Sequence, residues 1–310
     1  MKPNKQWDVI ALGDVFVDLI LSGFPAWPKP GEEAFAQWLR REVGGGAAIT
    51  ACGLARLGFR TALLAVVGSE DSRWLIERLT TCGVDARCIQ HHAIEPTGLT
   101  VSVSTAEDRG FFTYGGANQD IGELLTDKQA RDEMMGAGHV HLACAPETDS
   151  MAELVRTLHS AGCRVSLDVG WHEAWLSDAL GRRALKELDL FLPNEREAQL
   201  MTGESEPEAM LRAFARAGLR AVALKLGAEG SALLWEGEIF RSAPYPVQPL
   251  DTTGAGDCFD AGFIAAWLRD EVPQVCLETA NICGALSTRG LGGLAMFPTQ
   301  EELATRLIER

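Results

Sequence analysis

Short runs of Val, Ile, Leu and Ala recur along the chain, separated by longer stretches in which apolar residues return every three or four positions. The runs DVIALG (8–13), ALLAVVG (62–68), HVHLA (139–143), RVSLD (164–168), DLFLP (189–193) and AVALKLG (221–227) predict strands. The stretches 46–58, 70–81, 127–136, 149–161, 173–186, 195–202 and 207–217 predict helices between them. Strands that are apolar almost throughout, alternating with amphipathic helices, imply a mostly parallel sheet covered on both faces, an α/β fold. The last third reads as helix at 255–270, 273–288 and 299–309.

Two segments break this rhythm. Residues 16–43 carry three prolines and alternate apolar with polar positions, and TGLTVSVSTAEDRGFFTYG (97–115) reads as two strands joined by a polar turn at 106–110. No crossover helix follows either segment, so both are expected as antiparallel strands outside the main sheet. Such strands serve equally as a flap over a pocket or as an edge hairpin.

Composition narrows the function. With 310 residues, 46% of them hydrophobic, the chain is expected to form one α/β domain, 1–310, with a large core. A net charge of −15 argues against nucleic acid and anionic membrane as partners, since both need clustered Lys and Arg. It leaves nucleotide binding open, because backbone amides and Mg²⁺ act locally. No apolar run approaches the roughly 18–20 residues of a membrane span. MKPNKQWDVIALGD enters a strand without a signal-peptide core, so a cytoplasmic location is expected. The eight cysteines contain no C-x-x-C pair and are expected as reduced thiols without zinc.

Chemistry concentrates in DTTGAGDCFDAG (251–262). Gly254 and Gly256 allow a turn with exposed amides just before a helix, and a helix start favours an anion. Asp257 falls in the first turn, where it is either a cap or a proton acceptor beside that anion. VGGGAAITACGLARLG (43–58) places three glycines before an apolar helix, so a ligand or another backbone can approach closely. G-x-x-x-x-G-K-[ST] is absent, and ALGDVFVDL stands where a dinucleotide fingerprint would follow the first strand.

Together these segments resemble the ribokinase-like, PfkB-type carbohydrate kinases. DTTGAGDCFDAGFIAAWL is similar to the family's C-terminal signature and GGGAAITACGLARLG to its glycine signature. LPNEREA (192–198) is similar to its N-x-x-E motif, KLGAEG (225–230) to its nucleotide loop, and YGGAN (114–118) to the segment closing its flap. The motifs run in family order from about residue 8 to 300.

The resemblance implies a three-layer α/β/α fold with a small β lid at about 16–43 and 97–118. It also implies ATP and Mg²⁺ as cofactors and phosphoryl transfer to a sugar hydroxymethyl group. Asp257 is similar to the catalytic base, and the amides of Gly254, Ala255 and Gly256 to the anion hole. Asp14, Asp18, Gly44, Gly45, Gly46 and Asn118 fall on the acceptor side. Asn194 and Glu197 match residues that organise Mg²⁺ through water; Lys225, Gly227, Gly230 and Asn281 match the nucleotide side. Asp251 and Thr253, with backbone near Ser287, Gly290 and Gly292, match a site for a monovalent cation such as K⁺. A homodimer through the lid is expected, because exposed strand edges tend to be paired.

Some positions depart from the pattern. Ile49 stands where the family has a sugar-binding Asn, with Thr50 the neighbouring choice, and Phe16 adds a further apolar side chain. VGWHEAW follows Asp168, so Trp171 or His172 is either pocket lining or surface. His139 and His141 share a strand face without a third ligand at metal spacing and read as structural. LRRE (39–42) and EDRG (107–110) are either cations near the lid or solvated strand and turn residues. A nucleoside kinase of the same fold, and a sensor that binds nucleotide or sugar without turnover, remain the alternatives.

Overall fold

The computed structural model describes residues 5–105, 109–178 and 184–309. Its strands in chain order are β1 (Trp7–Gly13), β2 (Phe16–Phe24), β3 (Trp38–Gly44), β4 (Thr61–Leu64), β5 (Val66–Gly68), β6 (Gln90–His92) and β7 (Gly98–Thr105). They continue as β8 (Arg109–Tyr114), β9 (Ala137–Ala143), β10 (Arg164–Asp168), β11 (Leu190–Phe191), β12 (Ala221–Lys225), β13 (Ser231–Trp235) and β14 (Glu238–Ser242).

The main sheet has eight strands in the order β14-β13-β12-β11-β10-β9-β1-β4. From β4 through β12 every pairing is parallel. Its side chains are buried beneath helices: Leu12, Val140, Leu142, Val165 and Leu167 lie in one apolar cluster, and Val9, Ala223 and Leu233 in another that includes Phe263 of helix Ala255–Leu268. This is the three-layer α/β/α fold. The hairpin β13–β14 is absent from the periodicity reading, which expected helices after each strand. It turns at Glu236 and Gly237, which take φ of 49° and 88°, the left-handed pair that a two-residue hairpin requires.

The expected strand 62–68 is interrupted at Ala65, so β4 stays in the main sheet while β5 turns away to pair with β6. The expected helix 173–186 ends as Glu173–Ser177, with a single tight turn at Leu185–Glu187; residues 179–183 lie outside the described residues.

The two irregular segments form a second sheet, ordered β3-β2-β7-β8. The expected antiparallel pairs are present as β2–β3 and β7–β8, but they are joined by a parallel pairing of β2 with β7. Arg41 docks this sheet on helix Ser72–Thr81 by pairing with Asp71 and lying 4.1 Å from the Trp74 ring; Glu42 adds a 2.8 Å ion pair with Arg78. Of the turn at 106–110, residues 106–108 lie outside the described residues.

Candidate active site

The site lies at the carboxyl ends of the parallel strands, where crevices in open α/β sheets form. Gly254 precedes helix Ala255–Leu268 with φ 71°, a left-handed conformation, and no side chain caps that helix. Of the three amides expected as an anion hole, that of Ala255 is turned to the Thr252 carbonyl at 3.2 Å. Among the described residues no group accepts from the amides of Gly254, Gly256 and Asp257. Unused donors at a helix start suit an anion.

The glycine run comes up against the acids. Any side chain at Gly44 would overlap the Asp18 carboxylate, and Gly45, at φ 95°, lies against the Asp14 backbone. A methyl group at Gly46 would sit 3.1 Å from Asp257 Oδ1. Asp14, Asp18 and Asp257 therefore surround this loop. Burial pushes Asp14 up to about 6. Burial, helped by the nearby Asp168 charge and opposed by Lys225, pushes Asp257 up to about 7.

Beneath Asp257, Lys225 Nζ donates to Asp168 Oδ2 at 2.6 Å and to Asp260 Oδ1 at 3.1 Å. Oxygens of Asp168, Asp257 and Asp260 lie within 4.8 Å of one another, and the lysine ammonium fills the place a cation would take between carboxylates. Sequence reasoning gave Asp168 and Asp260 no role. The available signal was Asp260 inside the apolar run CFDAGFIAAWL, one turn beyond Asp257 and so on the same helix face.

On the other side of the turn is a cavity of about 420 Å³ whose lining includes Gly227, Gly230, Tyr245, Val247, Phe259 and Asn281. Its apolar walls suit a purine, and Gly256 brings it to the anion turn. Asn281 donates Nδ2 to the Ala243 carbonyl at 3.0 Å, holding the wall in place. Asn194 and Glu197 form a reciprocal cap of helix Glu195–Thr202: Asn194 Oδ1 accepts the Glu197 N–H at 2.9 Å, and Glu197 Oε2 accepts that of Asn194 at 2.8 Å. Burial pushes Glu197 up to about 7. With its oxygens already accepting from Asn194, Glu197 suits an outer contact to a hydrated ion better than direct ligation.

Asp251 links two loops, with Oδ1 accepting from Thr253 N at 2.8 Å and Oδ2 from Gly292 N at 2.8 Å. The 251–253 and 290–292 segments are thus adjacent, as a shared cation site requires. Ser287 points its hydroxyl to the Gly284 carbonyl at 2.8 Å, which leaves the backbone of this region as the source of ligands.

Other positions singled out in the sequence have definite partners. Ile49 is 2% exposed and packs beneath Gly254 and Gly293. Thr50 donates to the Asp257 carbonyl at 3.2 Å. Asn118 is spent on the backbone of Val15, with which it exchanges two hydrogen bonds. His172 caps helix Glu173–Ser177 by accepting the Trp175 N–H, while Trp171 is exposed beneath the Arg196 guanidinium, 4.2 Å away. His139 and His141 share the Ser166 hydroxyl at 2.8 and 2.9 Å, a buried structural arrangement.

A helix start with unused amides and a carboxylate beside it, set between an apolar cavity and an acid-lined loop, fits a phosphotransferase with an alcohol acceptor. Comparison with known proteins agrees. The model of the pfkB family carbohydrate kinases matches residues 3–300, and the chain belongs to that family. It is 33% identical over 307 residues to an ATP-dependent ribose-1-phosphate kinase of Halopiger xanaduensis, covering 97% of this chain and 98% of that one. It is 31% identical over 271 residues to a 2-dehydro-3-deoxygluconokinase of Bacillus subtilis, covering 83% and 84%. The ribokinase of Arabidopsis thaliana, solved with ribose and ATP, superposes with a TM-score of 0.86 at 26% identity, over 97% of this chain and 98% of that one. No helix among the described residues is long and apolar enough to cross a membrane.

Proposed function

We propose that the protein transfers the γ-phosphoryl group of ATP to a hydroxymethyl group of a sugar, with Asp257 as general base and the 254–257 turn as anion hole. The observation that carries this reading is the placing of the Asp257 carboxylate beside Gly46 on the acceptor side, with its own amide and that of Gly256 unused. Asp14 and Asp18 accept from sugar hydroxyls. ATP takes the cavity lined by Gly227, Gly230 and Asn281, its phosphates leading to Gly256. Asp257 takes the hydroxyl proton as the alcohol oxygen attacks phosphorus, a contribution of roughly 10²–10⁴-fold. The free amides stabilise charge on the transferred group. Mg²⁺, when bound, neutralises phosphate charge, and Asn194 and Glu197 are placed to hold its waters. A monovalent cation, K⁺ in the first instance, is assigned to the loops that Asp251 joins.

The substrate is a small sugar in the cytoplasm, and the net charge of −15 supports neither nucleic acid nor membrane as a partner. Trp38, Leu39, Phe111 and Phe112 are exposed on the lid's edge strands β3 and β8, which supports a homodimer through the lid. A monomeric mass by light scattering at micromolar concentration contradicts that assembly.

The test of the reaction is ADP release with 2-dehydro-3-deoxygluconate, ribose 1-phosphate, ribose, fructose and nucleosides, with Asp257→Asn alongside. One acceptor is expected to support turnover that falls by at least roughly 10²-fold in the variant, while calorimetry shows ATP still bound. Equal turnover in the variant removes Asp257 as base.

A further inference from the structure

Three carboxyl groups within 4.8 Å of one another cannot all carry charge in a buried setting without a cation among them. Here the cation is part of the chain. Lys225 ends β12 and Asp168 ends β10, so their side chains meet across the carboxyl end of β11. Asp260 approaches from helix Ala255–Leu268. Lys225 and Asp168 side chains are each 11% exposed, and that of Asp260 is fully buried. The lysine also lies directly under the anion turn, since a methyl group at Gly256 would be 3.7 Å from its Nζ.

We propose that Lys225 is a positioning residue for the transfer step: its ammonium gathers Asp168 and Asp260 beneath the 254–257 turn and supplies the positive charge that favours the Asp257 carboxylate over its protonated form. The role in transfer rests on the kinase reading above; the charge relationship does not.

The charges support it. Lys225 holds Asp168 down at about 2 despite burial, and the two acids push the lysine above its ordinary range. Burial pushes Asp260 well up, opposed by Lys225 and helped by the neighbouring Asp168. Among the described residues, the charges that act most on Asp257 are those of Asp168 from β10, Lys225 from β12, Glu197 from helix Glu195–Thr202 and Asp18 from β2, and Asp260 lies close by on its own helix. Lys225 is the one cation in that set. Without it, every charge in the set opposes ionisation of the base.

The experiment is a pH titration of ¹³C-carboxyl-labelled aspartates by NMR in the ligand-free protein, with Asp257→Asn assigning the resonance. Lys225→Met is expected to raise the Asp257 midpoint by at least about one pH unit, and Lys225→Arg to restore it. In ADP release, the acid limb should move by the same amount. From a midpoint of about 7, a one-unit rise costs roughly five-fold in rate at pH 7, recovered near pH 9. Should Lys225→Met fail to fold, Lys225→Met with Asp260→Asn removes one buried acid as well, and the same upward displacement is expected. An Asp257 midpoint within about 0.3 of wild type in a folded variant overturns the proposal. Turnover with an unmoved midpoint overturns it alone. A displaced midpoint in a protein that turns over no acceptor overturns the kinase reading instead, and with it the role in transfer.

Discussion

Asn118 grips Val15 by both backbone polar groups: Nδ2 donates to the carbonyl at 2.9 Å, and Oδ1 accepts the N–H at 3.0 Å. Val15 lies where the chain passes from β1 into the lid, and Asn118 lies just after β8, where it leaves. One side chain thus clasps the base of the lid beside Asp14. Asn118→Ala loses both bonds and leaves backbone groups unpaired, about 1–3 kcal/mol, or roughly 2–6 °C in Tm. Kinetics should show the acceptor KM rising more than the ATP KM. Calorimetry with the two saturation curves checks both.

Rate should rise with pH through neutrality. Asp257 is pushed up to about 7 by burial, and only its ionised form accepts a proton. Below that value kcat/KM should therefore fall about ten-fold per pH unit, flattening above it. A profile flat between about 5.5 and 7 contradicts the assignment.

Gly46→Ala separates stability from activity. The position is the first residue of helix Gly46–Arg56, where alanine favours the helix. Its methyl group, however, would stand 3.1 Å from Asp257 Oδ1 and displace the carboxylate. We expect an unchanged or higher Tm with kcat lowered about 10–100-fold.

Replacing K⁺ by Na⁺ should change turnover several-fold, because the loops joined by Asp251 bear on the anion turn. Asp251→Asn, which keeps the shape but loses the charge, should abolish the difference between the ions. Equal rates in K⁺ and Na⁺ for the wild type exclude the site.

Much of this was legible because its signals are local. RVSLD reads as its strand and EREAQLMT as its helix to the residue, since apolar residues at strand and at helix spacing each report on their own neighbourhood. The two glycine motifs announced close approach and a helix start. The rest is tertiary. Lys225 is 57 residues from Asp168 and 35 from Asp260, and nothing near any of them marks the others as partners. Ile49 was expected in the acceptor wall from its place in a motif, and its packing beneath Gly254 and Gly293 is a contact between distant segments. The β13–β14 hairpin went unread because Glu-Gly is a weak turn signal beside Asn-Gly.

The parallel pairing of β2 with β7 sets an order of assembly. Phe16 pairs with Gly98 and Ser22 with Ser104, so the centre of the lid joins segments whose intervening chain includes β4 and helix Ser72–Thr81. Closing so long a loop is entropically costly until those elements have packed and brought the segments together. During synthesis β2 and β3 emerge well before β7, and they wait as a lone hairpin, marginal in water, until the body beneath them is built. The lid is therefore expected to fold late, leaving its exposed tryptophan and leucine edge uncovered on the nascent chain in the meantime.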